Sequence, residues 1–129
     1  PDYDPDLFCS KPRREEKDVG CWHLPRTMTA AEGTMSQARR ESVQSGEFGM
    51  LNFHPTVKPV NLMQYLCGIF GVPGLPVLDA FTGSGTTGVA AVSLGFEFVG
   101  FELTAEYLPI IEARLSHAER ERAQQRRVA

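Results

Sequence analysis

From Leu51 onward, apolar residues recur with readable periods, and before it they do not. In "NLMQYLCGIFG", Leu62, Leu66 and Ile69 fall on one face at helical spacing beside Tyr65, which predicts a helix that Gly71 can end. "LPVLDAF" predicts a short apolar strand from Leu75 to about Asp79. A stretch of glycine, serine and threonine follows, then a helix through Val89, Ala90, Ala91, Val92 and Leu94 that closes at Gly95. "EFVGFEL" predicts a second strand. After it, Thr104 is the expected N-cap of a last helix, with Glu106 in its first turn and Leu108, Ile111, Leu115 and Ala118 as its apolar stripe. Pro109 removes a backbone donor there, so this helix is expected to begin late or to kink.

Strand, glycine turn, helix, strand, helix is a βαβα unit, expected to cross over right-handed and to bind a ligand beyond the carboxyl ends of parallel strands. The fold class is therefore α/β. Upstream of Leu51 the chain is polar and broken by Gly and Pro. "KPRREEKDVGC" suits a basic turn or short helix, and the stretch from Thr27 to Met50 suits a long loop with one helical turn around Gln37 to Val43. Residues 1–50 thus form a loop-rich segment and residues 51–129 the regular part.

A length of 129 residues allows one domain or a piece of one, and no apolar run reaches the roughly 20 residues of a membrane span. The start, "PDYDPD", carries neither an initiator Met nor a charged-then-apolar leader, so it is expected to be the cut edge of something longer, without a secretory signal. Cys9, Cys21 and Cys67 are odd in number and widely spaced, which favours reduced thiols in a cytoplasmic protein over a disulfide framework. Cys9, Cys21 and His23 lack the short spacing of a zinc site. The net charge of −3 hides an asymmetry: between Asn52 and Ala113 the only strongly basic residue is Lys58. Against it stand Asp79, Glu97, Glu102, Glu106 and Glu112, while Lys and Arg gather upstream and Arg114, Arg120, Arg122, Arg126 and Arg127 crowd the end. An acidic middle avoids phosphates, and basic flanks can touch them.

The chemistry concentrates in "LDAFTGSGTTG". Small side chains let backbone amides approach a ligand, and Ser84, Thr86 and Thr87 supply hydroxyls that can also cap the helix. Glu102 follows the glycines by about twenty residues, where a carboxylate can accept hydrogen bonds from ribose hydroxyls. Gly83, Gly85 and Gly88 match the GxGxxG of dinucleotide enzymes. However, Asp79 ends the strand and Ala80-Phe81-Thr82 delay the first glycine, and a carboxylate there repels a diphosphate. No Lys follows the last glycine, so the triphosphate cradle is absent. An acidic strand end suits an ammonium or sulfonium group, and S-adenosylmethionine carries both together with a ribose. A tight structural turn, with Asp79 and Glu102 as ordinary strand-end residues, remains the simplest competing account.

A second cluster, "NFHPTVKPVNLM", sets Thr56 and Lys58 between prolines just before a helix, a rigid turn suited to clamping a carboxylate. Alone, Lys58 reads as a surface lysine and His54 as a hydrogen-bonded structural residue.

Taken together and in this order, "HPTVKPVNLM", "VLDAFTGSGTTGVAA" and "FVGFEL" resemble the carboxyl-terminal cofactor half of bacterial and phage DNA methyltransferases that modify exocyclic amino groups of adenine or cytosine. The resemblance runs from about Asn52 to Ser116. Upstream, "KPRREEKDVG" is similar to a family stretch that usually reads Lys-x-Ser-Arg-x-Glu-Arg, with Arg13 where Ser is usual. The resemblance implies a partial Rossmann-like S-adenosylmethionine-dependent fold. It implies Thr56 and Lys58 near the methionine end of the cofactor, Asp79, Phe81, Gly83, Ser84, Gly85, Thr86 and Thr87 around that moiety, and Glu102 on the ribose.

That family transfers the methyl group with an Asp/Asn/Ser-Pro-Pro-aromatic tetrapeptide, and this chain contains no Pro-Pro pair. No catalytic residue is therefore assigned, and the chain alone is expected to be inactive until a complementary amino-terminal half supplies that loop. Residues 1–50 are expected to end the target-recognition region, with Lys11, Arg13, Arg14, Arg39 and Arg40 facing the phosphates of double-stranded DNA. The alternatives are a fragment of a dinucleotide-binding oxidoreductase and an inactive remnant that binds DNA or another subunit.

Overall fold

The computed structural model describes residues 11–27, 41 and 49–128. Its elements are α1 (Arg14–Asp18), α2 (Val60–Phe70), β1 (Val77–Asp79), α3 (Thr86–Leu94), β2 (Phe98–Gly100), a 3-10 turn (Ala105–Tyr107) and α4 (Leu108–Val128). The expected order is present, in an α/β arrangement. β1 and β2 pair in parallel, with Val77 opposite Phe98, Leu78 opposite Val99 and Asp79 opposite Gly100. Cys9, Arg39 and Arg40 lie outside the described residues, as does nearly all of the turn expected at 37–43.

The strands are shorter than their apolar runs suggest. Leu75 bonds back to Val72 and leaves Pro76 as the approach to β1, because a proline cannot donate to a ladder. α3 ends as expected: Gly95 adopts φ 98° and its N–H reaches the carbonyls of Ala91 and Val92. α2 also ends at Gly71, whose N–H bonds Cys67 O, although here the glycine is extended. α4 begins late, after the 3-10 turn, so Pro109 falls in the first helical turn, where its missing N–H costs nothing. The hydroxyl caps did not materialise. Neither Thr104 nor a side chain at the α3 start makes a capping bond, and the α3 N-cap is Gly85 at φ 77°.

The buried faces differ from the apolar stripes. On α2, Cys67 is buried and Met63 packs beside it against Ala90 and Ala91 of α3, with Val77, Phe96 and Phe98 completing the cluster. Leu62 and Leu66 are half-buried and Ile69 is 54% exposed. The alanine pair on α3 admits a close approach, and the helix turns the side chains that fit it inward. On α4 the buried set is Ile110, Ile111, Ala113, Arg114 and Ala118, while Leu108 remains exposed. The helix is wedged between two bodies, which widens its buried face. Ile110 and Ala113 meet Cys21 and Leu51, whereas Ile111 and Leu115 lie behind Gly85 and Gly88.

The upstream stretch is joined to this body. Asn52 N–H donates to Asp18 Oδ1 at 3.0 Å and Asn52 Nδ2 donates to Lys17 O at 2.9 Å. Val60 N–H, at the start of α2, donates to Glu16 Oε1 at 2.9 Å. Gly20 lies so close to α4 that a Cβ there would meet Ala113 O at 2.9 Å. An antiparallel bridge joins Thr27 to Met50.

Candidate functional site

The glycine loop starts where the parallel strands end. Phe101 N–H donates to Asp79 O and Thr82 N–H to Phe101 O, both at 2.9 Å, so the strand tips are tied together across the loop's first residues. The Asp79 carboxylate accepts the Phe81 N–H at 3.0 Å and stays partly exposed. Gly83 (φ 57°) and Gly85 (φ 77°) both need the left-handed region, and both are crowded from behind. A Cβ on Gly83 would lie 3.0 Å from His54 Nε2, and one on Gly85 would lie 3.4 Å from Ile111.

Glu102 sits just beyond β2 and reaches into the loop. Its Oε2 accepts the Gly83 N–H at 2.7 Å and its Oε1 accepts the Thr104 N–H at 2.9 Å. Those backbone donors, Thr104 first and then Gly83, hold the carboxyl below its ordinary pKa. Each oxygen keeps a second lone pair for a further donor. No Lys or Arg lies within ion-pair distance of Asp79 or Glu102 among the described residues. Two carboxylates without a cationic partner among the described residues, at the mouth of a parallel sheet and beside a glycine-rich loop, are acceptors matched to a cationic ligand that also carries hydroxyls.

The second sequence cluster arrives at the same place through His54. Thr56 N–H donates to His54 Nδ1 at 3.2 Å, which leaves the proton of the neutral ring on Nε2, the atom against Gly83. The ring also meets Tyr107 edge-on at 4.5 Å. Burial, chiefly, keeps its pKa below the ordinary value. Glu102 opposes that effect, and Lys58 and Arg114 add to it. Thr56 and Lys58 are both exposed on this turn. Thus Thr56, His54, Gly83 and Glu102 form one chain of contacts, and the structural reading of His54 holds.

Beneath the loop lies a residue that the sequence reading placed with the basic tail. Arg114 is 2% exposed. Its Nη1 donates to Ser84 O at 2.8 Å, Thr86 Oγ1 at 3.0 Å and Ser84 Oγ at 3.2 Å. The Ser84 and Thr86 hydroxyls, 3.1 Å apart, are buried and turned toward α4. Burial depresses the Arg114 pKa, and the guanidinium stays charged. Its Nε is buried without a partner, beside a cleft of about 160 Å³ whose mixed lining includes Glu16, Val60, Gln64, Val89, His117 and Glu121. A sequence signal existed: Arg114 falls in the apolar stripe between Ile111 and Ala118, where a solvated charge has no place.

Of the residues expected to meet DNA, Lys11 and Arg13 are exposed on the approach to α1, with Arg13 as its N-cap. Arg14 is exposed and donates to Gly49 O at 3.2 Å, an oxygen that Arg26 also reaches at 3.1 Å. This basic cluster adjoins the body that carries the loop.

Residues 10–113 match the DNA methylase family of the N6 and N4 type. The chain belongs to that family. It is 43% identical over 67 residues to the putative methylase YubD of Escherichia coli (strain K12), covering 52% of the chain and 30% of that protein. It is 46% identical over 62 residues to the type II methyltransferase M2.DpnII of Streptococcus pneumoniae, covering 48% of the chain and 23% of that protein. Against the DNA adenine methyltransferase YhdJ of Escherichia coli (strain K12) it is 42% identical over 65 residues, covering 50% of the chain and 22% of that protein. The match therefore spans under a third of each of these relatives. No solved structure is a significant match.

Proposed function

We propose that this chain is the cofactor-binding part of a DNA methyltransferase that moves a methyl group from S-adenosylmethionine to the exocyclic amino group of adenine or cytosine. The observation that carries this is the pair of carboxylates without a cationic partner among the described residues, Asp79 and Glu102, flanking the glycine loop in a chain of the DNA methylase family. Glu102 takes the ribose, Asp79 the ammonium, and Phe81, Gly83, Gly85 and Thr87 surround the methionyl moiety together with the backbone of Ser84 and Thr86, whose hydroxyls are held by Arg114, with Thr56 and Lys58 beside them. The cofactor supplies an activated methyl on a sulfonium. The residues of this chain bind and orient it, and the wider fold is Rossmann-like.

The catalytic loop is proposed to come from a complementary amino-terminal half. Leu78 (64% exposed) and Val99 (43%), neighbours across the sheet, lie with Phe101 on a face that no described element covers. Met63, Leu66, Phe70, Leu75 and Leu78 line an apolar groove beside β1. Such surface supports further polypeptide packing there, and the outer edge of β1, which no described strand pairs, can take another strand. Residues 1–50 then close the target-recognition region and residues 51–129 hold the cofactor, with Lys11, Arg13, Arg14, Arg39 and Arg40 toward double-stranded DNA in the cytoplasm. No described helix is long and apolar enough to cross a membrane.

Calorimetric titration of the chain with S-adenosylmethionine and with NAD tests the cofactor. Binding of the former alone is expected, and a preference for NAD would overturn the proposal in favour of the dinucleotide reading.

A further inference from the structure

Behind the glycine loop, a full positive charge is buried without a carboxylate partner. Among the described residues no acid lies within ion-pair distance of Arg114, and its Nη1 is committed to Ser84 and Thr86. Burying an unpaired guanidinium is costly, and a fold that only needed to fill this space would do so with an apolar side chain. The charge lies under the turn that opens α3, where the first helical N–H groups have no intrahelical acceptor and already favour an anion. The carbonyl and hydroxyl of Ser84 are drawn inward by Nη1, so they do not compete for those N–H groups.

We propose that Arg114 is a positioning residue that fixes the Ser84–Thr86 turn and lends its charge to the binding of the carboxylate of the cofactor's amino-acid end. Asp79, on the same loop, then takes the ammonium of that zwitterion. The inference rests on the S-adenosylmethionine reading and adds a requirement to it: the contribution of Arg114 belongs to the amino-acid tail and not to the nucleoside.

Binding by the full chain is measured for S-adenosylhomocysteine, which keeps the amino-acid tail, and for 5′-methylthioadenosine, which lacks it. Arg114→Gln is expected to weaken S-adenosylhomocysteine by about tenfold or more while 5′-methylthioadenosine stays within about twofold, and Arg114→Lys to recover most of the loss. An equal loss on both ligands, or none on either, overturns the role of Arg114 and leaves the cofactor reading standing. If Arg114→Gln does not fold, as judged by far-ultraviolet circular dichroism, Arg114→Lys carries the test. That variant should bind S-adenosylhomocysteine within about threefold of wild type, and loss of both ligands alike overturns the proposal. A wild-type chain that binds neither nucleoside overturns the cofactor reading, and this inference with it.

Discussion

At Gly83, His54 and Glu102 press on a single residue from two sides, and both make the loop sensitive to acid. Burial lowers the His54 pKa from 6.5, so below that value the unfolded chain binds the extra proton and the folded one resists it. Stability from this group is whole above pH 6.5 and falls as the pH drops toward the lowered value. Thermal melts from pH 7.5 to 5 should show a falling Tm that flattens in His54→Gln. Glu102 acts further down: its carboxyl lies below 4.5, so its share of stability is present above 4.5 and disappears as the pH falls through the depressed value. Glu102→Ala should also weaken S-adenosylmethionine by about tenfold or more in calorimetry, since a charge-assisted acceptor is lost. Cys21 is fully buried, and burial, opposed by Arg114, pushes its thiol up to about 11. It should resist thiol reagents at pH 8 until the chain unfolds.

Elements meet here through small residues. α3 lies against α2 through Ala90 and Ala91, and against α4 and β2 through Gly88. A Cβ on Gly88 would come within 2.7 Å of both Leu115 Cδ2 and Phe98 Cε1. Gly88→Ala should therefore destabilise the chain by about 1–2 kcal/mol in urea denaturation: overpacking costs up to about 3 kcal/mol, and helix propensity returns up to about 1. Were the glycine needed only for chain flexibility, the alanine would stabilise α3 instead. The same close packing explains why Met63 and Cys67 face inward on α2 although Leu62, Leu66 and Ile69 form the more obvious apolar row.

For the molecule as a whole, the described residues leave the face around Leu78, Val99 and Phe101 and the groove beside β1 uncovered, a core finished on one side among them. Exposed apolar surface of this kind promotes self-association or demands a partner. Alone, the chain should bind a hydrophobic dye and transfer no methyl group to DNA. Co-expression with an upstream polypeptide carrying the Pro-Pro tetrapeptide should suppress dye binding and yield methylated DNA. Co-purification without methyl transfer would instead favour an inactive subunit-binding remnant.

The sequence by itself determined the order of elements, the parallel pair, the glycine turn and the two carboxylates. These depend on local periodicity and on backbone conformations that only glycine tolerates, as at Gly83 and Gly95. It also carried the family likeness, because "HPTVKPVNLM" and "FTGSGTTG" are contiguous motifs. Only the tertiary structure decided which faces are buried and which residues far apart in the chain meet the loop. His54 joins Gly83 across 29 positions and Arg114 joins Ser84 across 30. Such pairings are set by how α4 and the 51–60 turn dock around α3, a balance of packing volumes that no short window of residues records.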